Sequence, residues 1–446
     1  MSHQGAFIGL WTDSTYAYAL YEPGELVAVT LQDGAYPALP YPGADWFQRL
    51  AKDLNGHTAT GFQAMGTAIE QFRAPDGRAP WPDFIGPEVE GGHQVAVGPV
   101  YGDITEPAHF RFFVVGERIL KLQTRLGYAH RGSVGLMRGK SPRQAARYAA
   151  RVSGDATVAH AIAFARAAET ALTVDVPSRA HFLRAIMAEI ERVSNHCGDL
   201  GGLVGMAGDG LLAERFALLR EHAVNAAQSI FGHRLMMDAV IPGGVATDLT
   251  ETGDVWLRAV LDRVEHELPE LENRVLNAGS LQERLEGIGV MKLDLASAYN
   301  VGGYAGRGSG QARDARVIPG YPPYTGFNMT ITTEQRGDIA ARVRVRLTEM
   351  RESVALLQTL LTALPEGPLA VTLPTETGAG LGVAESFRGP VWHWLKIENG
   401  HIQDACVIDA SAAHWQVLEQ VVLSSNLADF PLIERSFNPS AAGMDG

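Results

Sequence analysis

Cysteine is nearly absent: 446 residues carry two, Cys197 and Cys406. One potential pair excludes a disulfide framework, and no four-thiolate zinc or iron–sulfur site can be built from it. Long apolar runs are missing as well. No segment reaches the roughly 18 uninterrupted apolar residues that a spanning helix needs, so no direct membrane span is expected. Positive charge is in deficit, with 37 Lys and Arg against 50 Asp and Glu and a net charge of −13. That balance argues against nucleic acid, whose phosphates need clustered Lys and Arg, and against anionic lipid heads. The opening MSHQGAFIGLWTDS has neither the basic segment nor the apolar stretch of a secretion signal. The expectation is a cytoplasmic chain that docks on a membrane complex, if at all, through protein contacts.

What is present suits a large core. Hydrophobic residues make up 46% of the chain and charged residues 20%, which excludes disorder as the dominant state. Tyr16 to Tyr21 and Leu26 to Leu31 are β-prone runs around the turn Glu22-Pro23-Gly24-Glu25, and a helical stretch follows at Trp46 to Leu54. A Pro- and Gly-rich loop from Ala74 to Gly92 is the candidate boundary. Beyond Pro177 the spacing of Phe182, Ile186, Ile190 and Val193 predicts a helix with Ser178 as its cap, and Glu189, Arg192 and His196 share another face. Ile339, Val343, Leu347, Met350, Val354, Leu357 and Leu361 predict a second long helix facing a bundle core. Residues 280 to 330 read as loop. Asn399-Gly400 between Val391–Ile397 and His401–Ile408 is a hairpin signal. The fold class expected is mainly α (α+β), with peripheral hairpins.

Several chemical motifs fail on spacing. Gly135-Leu136-Met137-Arg138-Gly139-Lys140-Ser141 has three residues between its glycines where a phosphate loop needs four, and Gly378-Ala379-Gly380-Leu381-Gly382 lacks dinucleotide spacing. Both read as loops. The 14 histidines form no His-x3-His or His-Glu-x2-His, which weakens a zinc-hydrolase reading. Gly-x-Ser-x-Gly does not occur.

Two segments resemble the large subunit of nickel–iron hydrogenases with its ligands removed. Arg151-Val152-Ser153-Gly154-Asp155-Ala156-Thr157-Val158-Ala159-His160 is similar to that family's Arg-x-Cys-Gly-x-Cys-x3-His, with Ser153 and Ala156 in the cysteine positions. Asn438-Pro439-Ser440-Ala441-Ala442-Gly443 is similar to its Asp-Pro-Cys-x2-Cys. All four thiolate positions are lost, and a serine hydroxyl cannot replace a soft thiolate toward nickel. No metal is therefore expected on this chain.

The remainder resembles the same superfamily, which includes the D-type subunit of respiratory complex I and the large subunits of group 4, energy-converting hydrogenases (hydrogenase-4 component G-like). Val97 to Phe112 looks like the first hairpin, Leu126 to Gly132 the next motif, and Ile241-Pro242-Gly243-Gly244-Val245 a third. Gly308 to Arg316 and Ala428-Asp429-Phe430-Pro431-Leu432 continue the series. Residues 1–92 resemble a shortened C-type subunit of complex I, and 93–446 its D-type subunit.

That resemblance implies a partner small subunit with an iron–sulfur cluster, similar to the B-type subunit of complex I, and antiporter-like membrane subunits. It places the chain on the cytoplasmic face of the inner membrane through those partners. Electrons from the partner cluster would reach quinone or another acceptor, coupled to ion translocation, without nickel–iron chemistry. The alternative is a non-catalytic coupling or scaffold subunit with its pocket closed. His109 falls where complex I holds a quinone-binding His. Other expected positions depart: the quinone-facing Tyr falls on Arg151, the partner Asp on Met206 with Asp209 nearby, and a proton-carrying Glu of the hydrogenases on Val134. Around the emptied pocket the resemblance places His109, Arg131, Arg151, Ser153, Asp155, His160 and Ser440, with Asp155 beside two arginines, as in a buried ion-pair network, and with Arg131 and Arg151 ready to stabilise an anion.

Overall fold

A computed structural model describes residues 5–62, 68, 84–101 and 106–445. Residues 74–83 of the expected boundary loop and the centre of the first hairpin, residues 102–105, lie outside the described residues. The chain divides into two compact units. One comprises 1–132, 291–301 and 408–446; the other comprises 133–290 and 302–407.

In the first unit the strands Phe7–Thr12, Tyr16–Tyr21 and Glu25–Thr30 form an antiparallel sheet in sequence order, confirming the predicted hairpin. The helix Ala44–Asn55 lies against the strand Phe7–Thr12 and ends at Gly56, whose φ of 73° no β-branched residue would take readily. A second antiparallel sheet joins Gly92–Val97, His109–Val115 and Arg118–Arg125. Alternation along His109–Val115 sends Phe110 and Phe112 inward, where both meet Phe430 edge-on, at 5.1 and 4.7 Å between ring centroids. The helices Ser411–Val421 and Phe430–Phe437 complete this core.

The second unit is helical at its centre. Ser178–Met206, Gly210–Phe231, Glu251–Asn277 and Ile339–Thr362 pack side by side. Their N-caps follow from sequence: Asp209, Thr250 and Asp338 each accept a hydrogen bond from the first turn. Ser178 is not a cap but the first helical residue, after Pro177. The apolar stripe of Ile339–Thr362 is buried as predicted. In Ser178–Met206 the second face is buried too, so Glu189, Arg192 and His196 meet protein and not water. Residues 280 to 330, expected as loop, contain three short helices, Gly279–Leu285, Leu293–Ala298 and Gly303–Arg307.

The expected loop at Gly378–Gly382 is instead part of the strand Gly378–Glu385, which pairs with Pro390–Glu398 and through it with His401–Ile408. The glycines serve packing. This strand lies directly on the helix Thr157–Ala171, and a Cβ at Gly378, Gly380 or Gly382 would stand 2.0–2.2 Å from the carbonyl oxygens of Ala171, Ala167 and Ala163. An alanine-rich helix and a glycine-lined strand allow a backbone approach that larger side chains forbid. The other glycine segment also departs from a plain loop: Ser133–Met137 is a short helix, and Ser141 caps Pro142–Ala149 with a capping box to Gln144.

Candidate functional site

The residues singled out from sequence divide between the units. His109, Arg131 and Ser440 belong to the first, and Arg151, Ser153, Asp155 and His160 to the second.

In the first unit, His109 opens the strand His109–Val115 and is 7% exposed. Its ring stacks on Phe84 at 5.1 Å, and the same phenyl ring receives the guanidiniums of Arg111 and Arg125 at 4.5 and 5.3 Å. Burial, Arg111 and Arg125 lower the basicity of His109, against a backbone hydrogen bond to Gly98, so the imidazole is neutral near pH 7. Nε2 has no partner among the described residues. One side of the ring therefore pins neighbouring strands while the other presents an unsatisfied nitrogen.

Arg131 and Ser440 both hold the C-terminal segment. Asp445 accepts from the amides of Arg131 and Gly132 at 2.8 and 2.9 Å and lies 2.8 Å from Nδ1 of His130. The Arg131 guanidinium is half exposed, 3.6 Å from Asp445 and 3.3 Å from the Ala442 carbonyl. Ser440 Oγ donates to Glu106, with the two carboxylate oxygens at 3.0 and 2.9 Å, and accepts from the Gly443 amide at 2.9 Å. Glu106 also receives the Ala442 amide at 2.7 Å.

In the second unit, Ser153 Oγ lies 2.6 Å from Asp155 Oδ1. Asp155 has its ion pair elsewhere than with Arg151. Its partner is Arg388, whose Nη2 donates to Oδ2. Arg151 makes a two-pronged pair with Asp238 at 2.8 Å on the surface. His160 is fully buried with Nδ1 2.9 Å from Nε2 of His393. Asp209, near the position of the missing acid, caps a helix and pairs with Arg274.

Two residues that sequence reasoning overlooked complete this group. Arg388, 1% exposed, projects from the turn between Gly378–Glu385 and Pro390–Glu398. Ser386 Oγ accepts from the Arg388 and Gly389 amides, and Arg192 donates to the carbonyls of Glu385 and Ser386 at 2.8 and 3.0 Å. A lone Arg beside Gly-Pro between two apolar runs was the available signal. Glu191 is the second. It accepts from the amides of Val158 and Ala159 at 2.7 and 3.1 Å, at the start of Thr157–Ala171. Burial pushes its carboxyl up to about 8, against those amides, with Asp155 adding to the rise. Asp155, Glu191, Asn195, Arg220 and Arg234 line a narrow cleft with room for about one water molecule.

A nickel–iron centre does not fit these residues. Ala156 and Gly443 offer no donor atom, and the hydroxyls of Ser153 and Ser440 are engaged by carboxylates. Cys197 and Cys406 are buried elsewhere, and burial raises both thiols, Cys197 to about 12. Among the described residues no group of three or more His, Cys, Asp or Glu stands together to hold a metal, and no helix is long and apolar enough to cross a membrane.

Residues 131–198 match the family described as nickel-dependent hydrogenase, and residues 215–379 match the 49 Kd subunit of the respiratory-chain NADH dehydrogenase. Formate hydrogenlyase subunit 5 of Escherichia coli is 30% identical over 79% of this chain, which spans 62% of that protein's length. A D-type NADH-quinone oxidoreductase subunit of Herpetosiphon aurantiacus is 31% identical over 61% of this chain and 74% of its own. A chain from the membrane-bound sulfane sulfur reductase, an archaeal respiratory membrane complex, superposes with a TM-score of 0.75 over 81% of this chain and 100% of its own. At 24% identity that likeness is one of fold: a helical core with small sheets. The chain belongs to the family that joins the large subunits of group 4 nickel–iron hydrogenases to the D-type subunit of complex I, and it lacks that family's metal-binding cysteines.

Proposed function

We propose that this chain is the large subunit of a membrane-bound, complex I-like respiratory assembly, and that its emptied pocket passes electrons and protons to an organic acceptor such as a quinone. The partner would be a small subunit with an iron–sulfur cluster, and antiporter-like membrane subunits would move the ion. Residues 1–92 would act as a shortened C-type subunit and 93–446 as the D-type one, on the cytoplasmic face of the inner membrane.

The observation that carries this reading is the fixed, buried Arg388 with Asp155 and Ser153, next to Glu191, a carboxyl that titrates near neutrality. A quinone taking two electrons and two protons becomes a quinol. It develops negative charge first, which a preorganised guanidinium stabilises, and then needs a proton from a group poised near the working pH. His109 is neutral, and with its one N–H given to the Gly98 backbone its unsatisfied Nε2 is a lone pair, suited to accept a hydrogen bond from a quinol hydroxyl.

The scaffold reading draws on a different observation. Ser440 and Glu106 satisfy each other and the Ala442 and Gly443 amides, and Asp445 takes the Arg131 and Gly132 amides, so the C-terminal segment needs no ligand to hold it.

The test uses the purified membrane complex. The partner cluster is reduced anaerobically, a soluble quinone is added and cluster reoxidation is followed in wild type, His109→Ala and Arg388→Ala. Quinone-dependent reoxidation lost in both variants supports the redox reading. Reoxidation at one rate with or without quinone, in all three, leaves the scaffold reading.

A further inference from the structure

Behind the turn that presents Arg388, the second unit holds a closed cluster of charge. It contains four carboxylates, Glu189, Asp314, Glu349 and Glu385, and three guanidiniums, Arg192, Arg307 and Arg316. Arg316 bridges Glu189 and Asp314 at 2.9 and 2.7 Å. Arg307 bridges Glu349, Glu385 and Asp314 at 2.7, 3.0 and 3.3 Å. Arg192 lies 3.2 Å from Glu189 and 3.9 Å from Glu349. None of the seven side chains is more than 6% exposed. With every group ionised, the cluster would bury one uncompensated negative charge, an arrangement that proteins relieve by binding a proton.

The eighth member, His196, is the obvious alternative home for that proton, and the geometry excludes it. His196 Nε2 lies 2.9 Å from Glu349, and Nδ1 has no partner among the described residues. An imidazolium there would bury a bare N–H. A neutral ring donating from Nε2 leaves Nδ1 as an unprotonated lone pair. Burial lowers its basicity in the same sense, against the pull of Glu349.

Among the four acids the donors are unequally shared. Glu189 receives Arg316, Arg192, Tyr324 and Ser353. Asp314 receives Arg316 through both oxygens, from its backbone amide and its guanidinium, and Arg307 as well. Glu349 has Arg307 and His196. Among the described residues Glu385 receives only the Ala315 amide at 3.0 Å and Nη1 of Arg307, an atom also shared with Asp314 and the Arg313 carbonyl. It is the least compensated carboxylate of the four.

We propose that this cluster is a proton-binding site that stores one exchangeable proton on Glu385, at the root of the turn carrying Arg388. The groups facing Glu385 are Arg307 from Gly303–Arg307, Asp314 and the Ala315 amide from the segment that follows, and Arg192 from Ser178–Met206. Tyr321 adds a hydroxyl 3.1 Å from the Glu385 amide, with Arg166 stacked on its ring. Burial and then Asp314 push the Glu385 carboxyl up to about 7, against Arg307 and Arg192. Against burial, Arg316 and Arg192 hold Glu189 below the usual carboxylate range, and Arg307 does the same for Glu349. Dissociation leaves a Glu385 carboxylate and a free proton, with no bond to any other group made or broken. Whether the pocket reduces a quinone or nothing at all does not enter.

Infrared difference spectra of the full chain, taken by stepping pH across neutrality, test the site through the carbonyl band of a protonated carboxyl. Glu191 also holds a proton near neutrality, so every variant is built on Glu191→Gln; the expected result is a band lost as pH rises through about 7 in Glu191→Gln alone and absent once Glu385→Gln is added. Asp314→Asn supplies an independent arm. It leaves three carboxylates for three guanidiniums, so Glu385 ionises and the same band disappears at every pH above the ordinary carboxylate range. A band that survives in Glu385→Gln overturns the assignment to Glu385. A band unchanged in Asp314→Asn overturns the charge excess as its cause.

Discussion

Asp155 holds two side chains at once, Ser153 through Oδ1 at 2.6 Å and Arg388 through Oδ2. Both contacts lie within residues 131–198 or reach into them from Arg388, so a carboxylate joins the stretch that matches the nickel-dependent hydrogenase family to the turn after the strand Gly378–Glu385. The pair is asymmetric in its exposure: Arg388 is buried and Asp155 is about one-third exposed. Asp155→Asn therefore takes a carboxylate away from a buried cation, and an expected loss of about 2 kcal/mol follows, reduced by solvent at the Asp155 side. Arg388→Met alone leaves the more exposed partner free and costs less. Urea midpoints of the two single variants and the double variant check this, and the double variant is expected to recover part of the Asp155→Asn loss.

The contact between Gly378–Glu385 and Thr157–Ala171 predicts a steep steric penalty. At Gly380 a Cβ meets the Ala167 carbonyl oxygen at 2.2 Å and the Ala171 amide nitrogen at 2.4 Å, both backbone atoms that cannot rotate aside. Gly380→Ala is expected to destabilise the chain by about 3 kcal/mol or more, read from the thermal or urea midpoint. At Gly279 a Cβ meets no atom within 4 Å, so Gly279→Ala is the neutral control.

These two sites show what the sequence could and could not reveal. The long helices were legible because their apolar spacing is a local property, and Ile339–Thr362 appears where Ile339 to Leu361 predicted it. The Asn399-Gly400 hairpin was legible for the same reason. Gly378–Gly382 was not, because its glycines answer to the helix Thr157–Ala171, far earlier in the chain, and no local pattern reports that contact. Arg388 escaped notice likewise: its partner Asp155 lies 233 positions away. Arg151 was misassigned because its partner, Asp238, comes from a distant turn.

Glu106 predicts a local loosening. Its carboxylate receives Ser440 Oγ and the Ala442 amide, and Ser440 Oγ receives the Gly443 amide. Glu106→Gln replaces one acceptor oxygen with a donor facing those groups. Hydrogen exchange at Ala442 and Gly443 is expected to accelerate about tenfold, equivalent to about 1.4 kcal/mol of local stability, while amides of Ile339–Thr362 stay unchanged.

Glu191 predicts a pH dependence of stability with a defined sign. Burial holds its folded pKa near 8, above the value of about 4.3 for an exposed Glu, so the folded chain binds this proton more tightly than the unfolded chain. The resulting stabilisation is complete below about pH 4 and is lost as pH rises through about 8. Its full size is on the order of 5 kcal/mol. The urea midpoint of the wild type is expected to fall across that window. Gln at position 191 carries no proton to lose, so Glu191→Gln is expected to start lower, because its amide faces the Val158 and Ala159 N–H groups, and to fall less steeply. Parallel slopes for the two proteins would show that Glu191 is ionised in the folded chain throughout, and that the group beside Asp155 is a fixed charge and not a proton carrier.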